Sequence, residues 1–210
     1  NTRVKGSTIR GSSARAGGAI YIDGAHTVIE DSSFAENSAK SGTDHDTTNL
    51  GGAIYVKGDY TTISGSEFES SSAYSGGTIY LQGNYCNVTE SSVSGGYASN
   101  DGGAIYWSDV NGADSAVSNC NFTGNTANNY GGAIRWHGSY GAVSGCNFTN
   151  NTANYGGAIY WNRDNGTVSG CTFINNTANM DGGAISVQNV NLNATKCAIV
   201  NNIAPTGSEI

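Results

Sequence analysis

Four letters keep coming back along this chain. Gly17-Gly18-Ala19-Ile20 recurs at Gly51–Ile54, as Gly76-Gly77-Thr78-Ile79, and again at Gly102–Ile105, Gly131–Ile134, Gly156–Ile159 and Gly182–Ile185, at intervals of 34, 25, 26, 29, 25 and 26 residues. A unit repeated at such a period is too short to bury a core alone, so successive units must stack on one another. The rest of the unit repeats as well. Val117-Ser118-Asn119-Cys120-Asn121-Phe122 returns at Val143–Phe148 and Val168–Phe173, with weaker copies at 4–9, 29–34, 63–68, 88–93 and 192–199. Three residues after the Phe position stand Asn37, Ser71, Gly96, Asn125, Asn151, Asn176 and Asn202. Gly207-Ser208-Glu209-Ile210 reads as a degraded eighth copy, so the repeat covers residues 1–210 as a single domain.

The residues after the paired glycines alternate. Ile20, Ile54, Ile79, Ile105, Ile134, Ile159 and Ile185 form one inward column, and Ile22, Val56, Leu81, Trp107, Trp136, Trp161 and Val187 form a second. Period-two alternation describes a strand with one buried face. Apolar residues at helical spacing are missing, while 31 Gly and abundant Asn, Ser and Thr supply bends. These signals predict an all-β, right-handed parallel β-helix of about eight coils, each of 25–34 residues with three short strands, coils lying ~4.8 Å apart. A propeller blade needs about 40 residues or more, and the leucine pattern of a horseshoe repeat is absent. Paired glycines should be closely approached or in conformations costly for a side chain. The Asn column predicts an amide ladder satisfying buried bends. Extra residues at 40–50 and 108–115 should form loops.

Composition narrows the function. Net charge is −7, against the basic clusters that nucleic acid requires. No apolar run reaches the ~20 residues that span a bilayer, so this segment should not insert into a membrane. The chain opens and closes inside a repeat, which predicts a segment of a longer protein. The alternative is a complete subunit that polymerises head to tail, because uncapped coil ends expose strand edges that self-associate.

Paired motifs such as Phe148-Thr149-Asn150-Asn151-Thr152-Ala153 followed by Gly156-Gly157-Ala158-Ile159 resemble the repeats of chlamydial polymorphic membrane proteins. They equally resemble the adhesin-like proteins of methanogenic archaea. The resemblance implies a right-handed β-helix, extracellular at the cell surface, working in attachment. Ser71, Gly96 and Thr78 depart from the motif.

The outward column between the two inward ones holds Tyr21, Tyr55, Tyr80, Tyr106, Arg135, Tyr160 and Ser186. Beside it, Ala19, Ala53, Thr78, Ala104, Ala133, Ala158 and Ala184 read as a second outward column. Two readings of this Tyr/Ala face stand: plain cross-strand stacking, or a platform made of Tyr21, Tyr55, Tyr80, Tyr106, Arg135 and Tyr160 for a glycan or a partner-cell protein. Arg135 is placed for a cation–π contact with Tyr106 or Tyr160. The Trp column is read as core, because Ile, Val and Leu share it.

Cys120, Cys146, Cys171 and Cys197 continue a column begun by Ser7, Ser32, Ser66 and Ser91. In-register Cβ atoms ~4.8 Å apart do not suit a disulfide, which wants about 3.8 Å, so packed thiols are expected and no metal or cofactor is implied. Cys86 stands off that column. An enzyme is the rival class, since β-helices also host polysaccharide lyases and hydrolases. Its strongest cluster would be Asp109, His137, Arg163 and Asp164. Asp44-His45-Asp46, and Asp109 with Asp114, are weak cation sites at best. Of seven Asn-x-Ser/Thr sequons, outward Asn121 and Asn147 suit glycosylation. The reading adopted is a non-catalytic adhesin or surface-fibre segment.

Overall fold

The computed structural model describes residues 2–41, 46–108, 114–188 and 190–207. Among these residues, thirty short strands wind into a right-handed parallel solenoid with four sheets, of eight, eight, seven and seven strands. Seven turns are complete, and an eighth is begun by Leu192–Thr195 and Ala198–Val200. The coil is therefore four-stranded, not three-stranded. The Val117–Phe122 run is divided by Asn119, whose φ of 52° turns the chain between Ala116–Ser118 in sheet 1 and Asn121–Thr123 in sheet 2. A second left-handed residue, such as Gly124 at φ 63°, leads into the short sheet 3 strand Thr126–Ala127. Sheet 4 carries the alternating segment, as in Ile134–Trp136.

Register is kept along sheets 1, 2 and 4, and slips by one residue only in sheet 3, where Ala153 pairs with Ala178 but Tyr155 with Asp181. Ile79 pairs with Ile54 and Ile105, and Trp136 with Trp107 and Trp161. Equal residues therefore sit one above another, and rings stack on rings. Phe122, Phe148 and Phe173 lie 5.0 and 4.9 Å apart, and Trp136 and Trp161 are 4.8 Å apart at 2°. All three Trp side chains are buried, as expected of a core column.

The paired glycines are needed for two separate reasons. Gly131 has φ +67°, which a Cβ would strain, and a Cβ on Gly132 would lie 2.1 Å from the Gly157 carbonyl oxygen of the next coil. Polar ladders close the bends. Asn125 Nδ2 donates to Asn151 Oδ1 at 3.0 Å, Asn151 to Asn176 at 2.9 Å, and Asn176 to Asn202 at 2.9 Å. The same carbonyl oxygens also receive backbone N–H groups, so a single side chain satisfies two donors at a buried corner. In the Ser/Cys column the backbone N–H of one coil donates to the Oγ or Sγ of the next, as Ser32 to Ser66 at 3.2 Å and Cys120 to Cys146 at 3.4 Å. None of the five cysteines forms a disulfide, and Cys197 is only half-buried.

The departures from the repeat compensate one another. Where Gly96 replaces Asn, a Cβ would lie 2.7 Å from Thr78 Oγ1, so the Thr hydroxyl takes up room that the missing side chain leaves. Volume is exchanged again across the core. Gly141 and Gly166 follow Trp136 and Trp161 by five residues, and a Cβ on either would collide with the indole at 2.2 or 2.3 Å. The coils with smaller Val56 or Leu81 carry Thr61 or Cys86 at that place, both buried. Cys86 thus belongs to a column of its own, filling space where no indole reaches.

Candidate functional site

Sheet 4 presents the Tyr column in two different states. Tyr21, Tyr55, Tyr80 and Tyr106 form an unbroken stack with centroid separations of 5.0, 5.4 and 4.9 Å and interplanar angles of 12°, 11° and 2°. Tyr21 is 53% exposed, and the other three are half-buried. Rings stacked this closely hide their faces on one another and turn edges and hydroxyls outward. The Tyr55 hydroxyl donates to Gln82 Oε1 at 2.7 Å. Burial raises the pKa of Tyr55, Tyr80 and Tyr106, with Tyr80 pushed up to about 12, so all are neutral donors at physiological pH.

Arg135 and Tyr160 continue the column but are only 9% and 3% exposed. Tyr130, which immediately precedes paired glycines, folds over them, and Tyr155, at the same place one coil on, backs it. The Arg135 guanidinium lies 4.7 Å from the Tyr130 ring centroid, 5.1 Å from Tyr160 and 5.5 Å from Tyr106, so the anticipated cation–π contacts are present and a third joins them. Tyr130 meets Tyr160 at 4.4 Å, tilted by 46°, and stacks on Tyr155 at 5.3 Å. Arg135 Nη1 is 3.4 Å from Asp101 Oδ2. Burial nevertheless pushes the Asp101 carboxyl up to about 6, although the guanidinium and the Tyr130 N–H oppose it. Tyr160 donates its hydroxyl to Gln188 Oε1. Of the six platform residues, four are therefore accessible and two are enclosed.

The alanine strip is not part of this surface. Ala53, Ala104, Ala133, Ala158 and Ala184 are fully buried in the core, and Thr78 with them. The cause is a local bend. Ala53 N–H and Ile54 N–H both donate to the Thr78 carbonyl oxygen, at 2.8 and 3.0 Å, and the same doubling recurs up the stack. Two successive donors on a single acceptor break the alternation, as in a bulge, and turn Ala and Ile inward together.

The cluster considered for catalysis is partly assembled. His137 Nε2 contacts Arg163 Nη2 at 2.6 Å, and its Nδ1 is 3.5 Å from Arg135 Nη2. Burial first, then these two guanidinia, lower the His137 pKa, which leaves a neutral ring at pH 7. Asp164 is exposed and accepts the Asn191 N–H at 3.0 Å. Asp109 lies outside the described residues, as do Asp44 and His45 of the 40–50 loop. Asp46 is held at about 2 by hydrogen bonds from Ser41 and Thr48, so its oxygens already serve the loop. Among the described residues no group of three His, Cys, Asp or Glu side chains is placed to hold a metal ion, and no helix is long and apolar enough to cross a membrane. Asn121 and Asn147 are exposed on sheet 2 and hydrogen-bonded to each other at 2.8 Å.

A further feature of the surface escaped the sequence reading. His26, Tyr60 and Tyr85 stack at 4.8 and 4.9 Å on the bend between sheets 4 and 1. Their spacing from the Tyr21, Tyr55 and Tyr80 column is constant at five residues, which was the available signal.

Residues 31–57 match the repeat of Chlamydia polymorphic membrane proteins. No curated protein and no solved structure matches the chain. Residues 52–207, almost three quarters of the sequence, match the right-handed beta helix region, and four in-register parallel sheets with a Gly-Gly bend in every coil agree with it: the chain belongs to the right-handed beta helix family.

Proposed function

We propose that the chain is a segment of a cell-surface attachment rod, extracellular and non-catalytic, that contacts a glycan or a partner-cell protein along the open Tyr21–Tyr106 edge. The observation that carries this reading is the unbroken stack of four tyrosines, accessible along its edges, where the same column is roofed from the next coil onward. The match to a polymorphic membrane protein repeat supports the surface location. Contact here is made by hydroxyls and ring edges repeated once per coil. Affinity per coil is modest and grows with the number of coils engaged. The Ala strip plays no part in it.

Replacing Tyr21, Tyr55 and Tyr80 together by Ser tests the reading in a cell-attachment assay. Attachment should be lost while circular dichroism stays that of the parent. Buried Tyr160→Phe, which keeps the ring, should attach normally. Undiminished attachment by the triple variant would overturn the proposal.

A further inference from the structure

From coil to coil the corners are turned by residues in the left-handed region, in six coils at the bend between sheets 4 and 1, and the identity of those residues differs by corner. The bend after sheet 1 uses Gly6, Asp31, Gly65, Glu90, Asn119, Gly145, Gly170 and Lys196. The bend after sheet 2 uses Gly11, Glu36, Ser70, Gly95, Gly124, Asn150, Asn175 and Asn201, and the bend before sheet 4 uses glycine alone. None of these is aromatic. The bend between sheets 4 and 1 uses His26, Tyr60, Tyr85, Asp114, Tyr140 and Asn165, with φ between 48° and 63°. Left-handed backbone is costly for a bulky side chain and cheap for Gly or Asn. Asn165 in the same column shows that the corner accepts the cheap residue.

Stacking offsets part of that cost for His26, Tyr60 and Tyr85. It does nothing for Tyr140, whose column neighbours are Asp114 and Asn165 and which has no stacked ring among the described residues. Tyr140 is 59% exposed, Tyr60 47% and Tyr85 39%. Strained residues that stay exposed point to a use outside the fold.

The surroundings say what that use is. The sheet 1 strands that follow this bend carry Thr62, Asn87, Ala116, Ala142 and Thr167 in one outward column, and Ser64, Thr89, Ser118, Ser144 and Ser169 in the next. Both columns are uncharged across five coils. A recess of about 340 Å³ lies against the first rings, lined by Thr2, Arg3, His26, Val28 and Tyr60. Three aromatic corner residues in succession, a fourth beyond Asp114, and uncharged side chains, most of them hydroxyls, beside Tyr60, Tyr85 and Tyr140 match a ligand that is itself uncharged, rich in hydroxyls and repetitive.

We infer that the His26–Tyr60–Tyr85–Tyr140 corner is a binding edge for an uncharged polysaccharide chain. It is distinct from the Tyr21–Tyr106 edge and does not rest on the attachment reading. Sugar rings meet the exposed ring surfaces, and the Ser, Thr and Asn side chains of sheet 1 share hydrogen bonds with the hydroxyls.

The test is affinity electrophoresis of the parent in gels containing mannan, xylan or soluble glucan, with alginate as the anionic comparison. The parent should be retarded by at least one neutral polymer and not by alginate. Tyr60→Asn/Tyr85→Asn/Tyr140→Asn should weaken binding by about tenfold or more, the scale of lost aromatic anchors. Tyr140→Asn alone, which breaks no stack, should weaken it measurably with an unchanged or raised Tm. Failure of all three neutral polymers to bind the parent overturns the proposal. So does binding that survives both variants, retardation by alginate alone, or a self-association of the parent that the triple variant abolishes.

Discussion

The two halves of the sheet 4 tyrosine column share a backbone and differ in everything laid over it. From Tyr21 to Tyr106 the residues before the paired glycines are Ala16, Leu50, Ser75 and Asp101, none of them a ring, and the stack stays open along its edge. At Arg135 and Tyr160 the same place holds Tyr130 and Tyr155; Tyr130 closes over the column with Tyr155 stacked on it, and the column residues are 9% and 3% exposed. The core behind changes in step. Ile22, Val56 and Leu81 lie behind the first three tyrosines, while Trp107 lies behind Tyr106 and Trp136 and Trp161 lie behind the closed part. One solenoid thus holds a thin-cored, accessible stretch and a thick-cored, sealed one. Repeat proteins distribute stability coil by coil, so this asymmetry should be measurable region by region.

The largest effect should come from the sealed half. Trp136→Ala removes an indole stacked between two others, and Gly141 has no side chain to move into the space. A loss of about 3–5 kcal/mol is expected, as for other large core truncations. Hydrogen exchange should place the damage in the C-terminal coils and spare those of Tyr21–Tyr80. A denaturation change below about 1 kcal/mol would mean that the Trp column is not core. Arg135→Met comes next. Removing a single partner from a buried pair leaves Asp101 uncompensated, at a cost of about 3 kcal/mol. Adding Asp101→Asn should recover most of that loss, and a strictly additive double variant would show that the pair does not couple.

Much of this was legible in the chain before folding. The inward columns followed from period-two alternation, which exact register then preserved. The Trp column was recognisable as core because Val56 and Leu81 share it. What failed was local. Asn119 and its equivalents are Gly in half the coils but Asp31, Glu90 and Lys196 in others, so the column carries no uniform turn signal, and their positive φ splits a run read as a single strand. Alternation also could not reveal that Ala53 and Ile54 donate to the same carbonyl, which put a supposed surface strip inside. Roofing by Tyr130 and Tyr155 was hidden for another reason. Their position varies from coil to coil, so no column announces it, and whether a side chain there covers its neighbour depends on size alone.

Acid should act on the sealed half. The Asp101 pKa is raised from an ordinary 3.8 to about 6 by burial. A carboxyl with a folded pKa above its unfolded value binds its proton more tightly in the folded state. Its stabilising contribution is full below about pH 4 and is lost as pH rises through about 6, with a span on the order of 2–3 kcal/mol. The parent should therefore gain stability on mild acidification from pH 7 to 5, and Asp101→Asn should flatten that part of the profile. Equal slopes in both proteins would show that Asp101 does not set the pH response.

The smallest effect belongs to the open end of the ladder. Tyr21 stacks on a single ring, Tyr55, at 5.0 Å and is 53% exposed, so it gives up little surface and one aromatic contact when removed. Tyr21→Ser should cost about 0.5–1 kcal/mol, the range of an exposed aromatic pair. Tyr160→Ser should cost several times more, because it opens a buried place beneath Tyr130 and strands Gln188 without its hydroxyl donor. The ratio of the two is the quantity of interest, since both residues occupy equivalent places on sheet 4. A ratio near one in parallel urea titrations would mean that Tyr130 and Tyr155 do not seal the column. The open edge would then have no privileged claim as the contact surface. A ratio well above one, together with normal exchange around Tyr21 in the variant, would leave the N-terminal tyrosines free of structural duty and available for a partner.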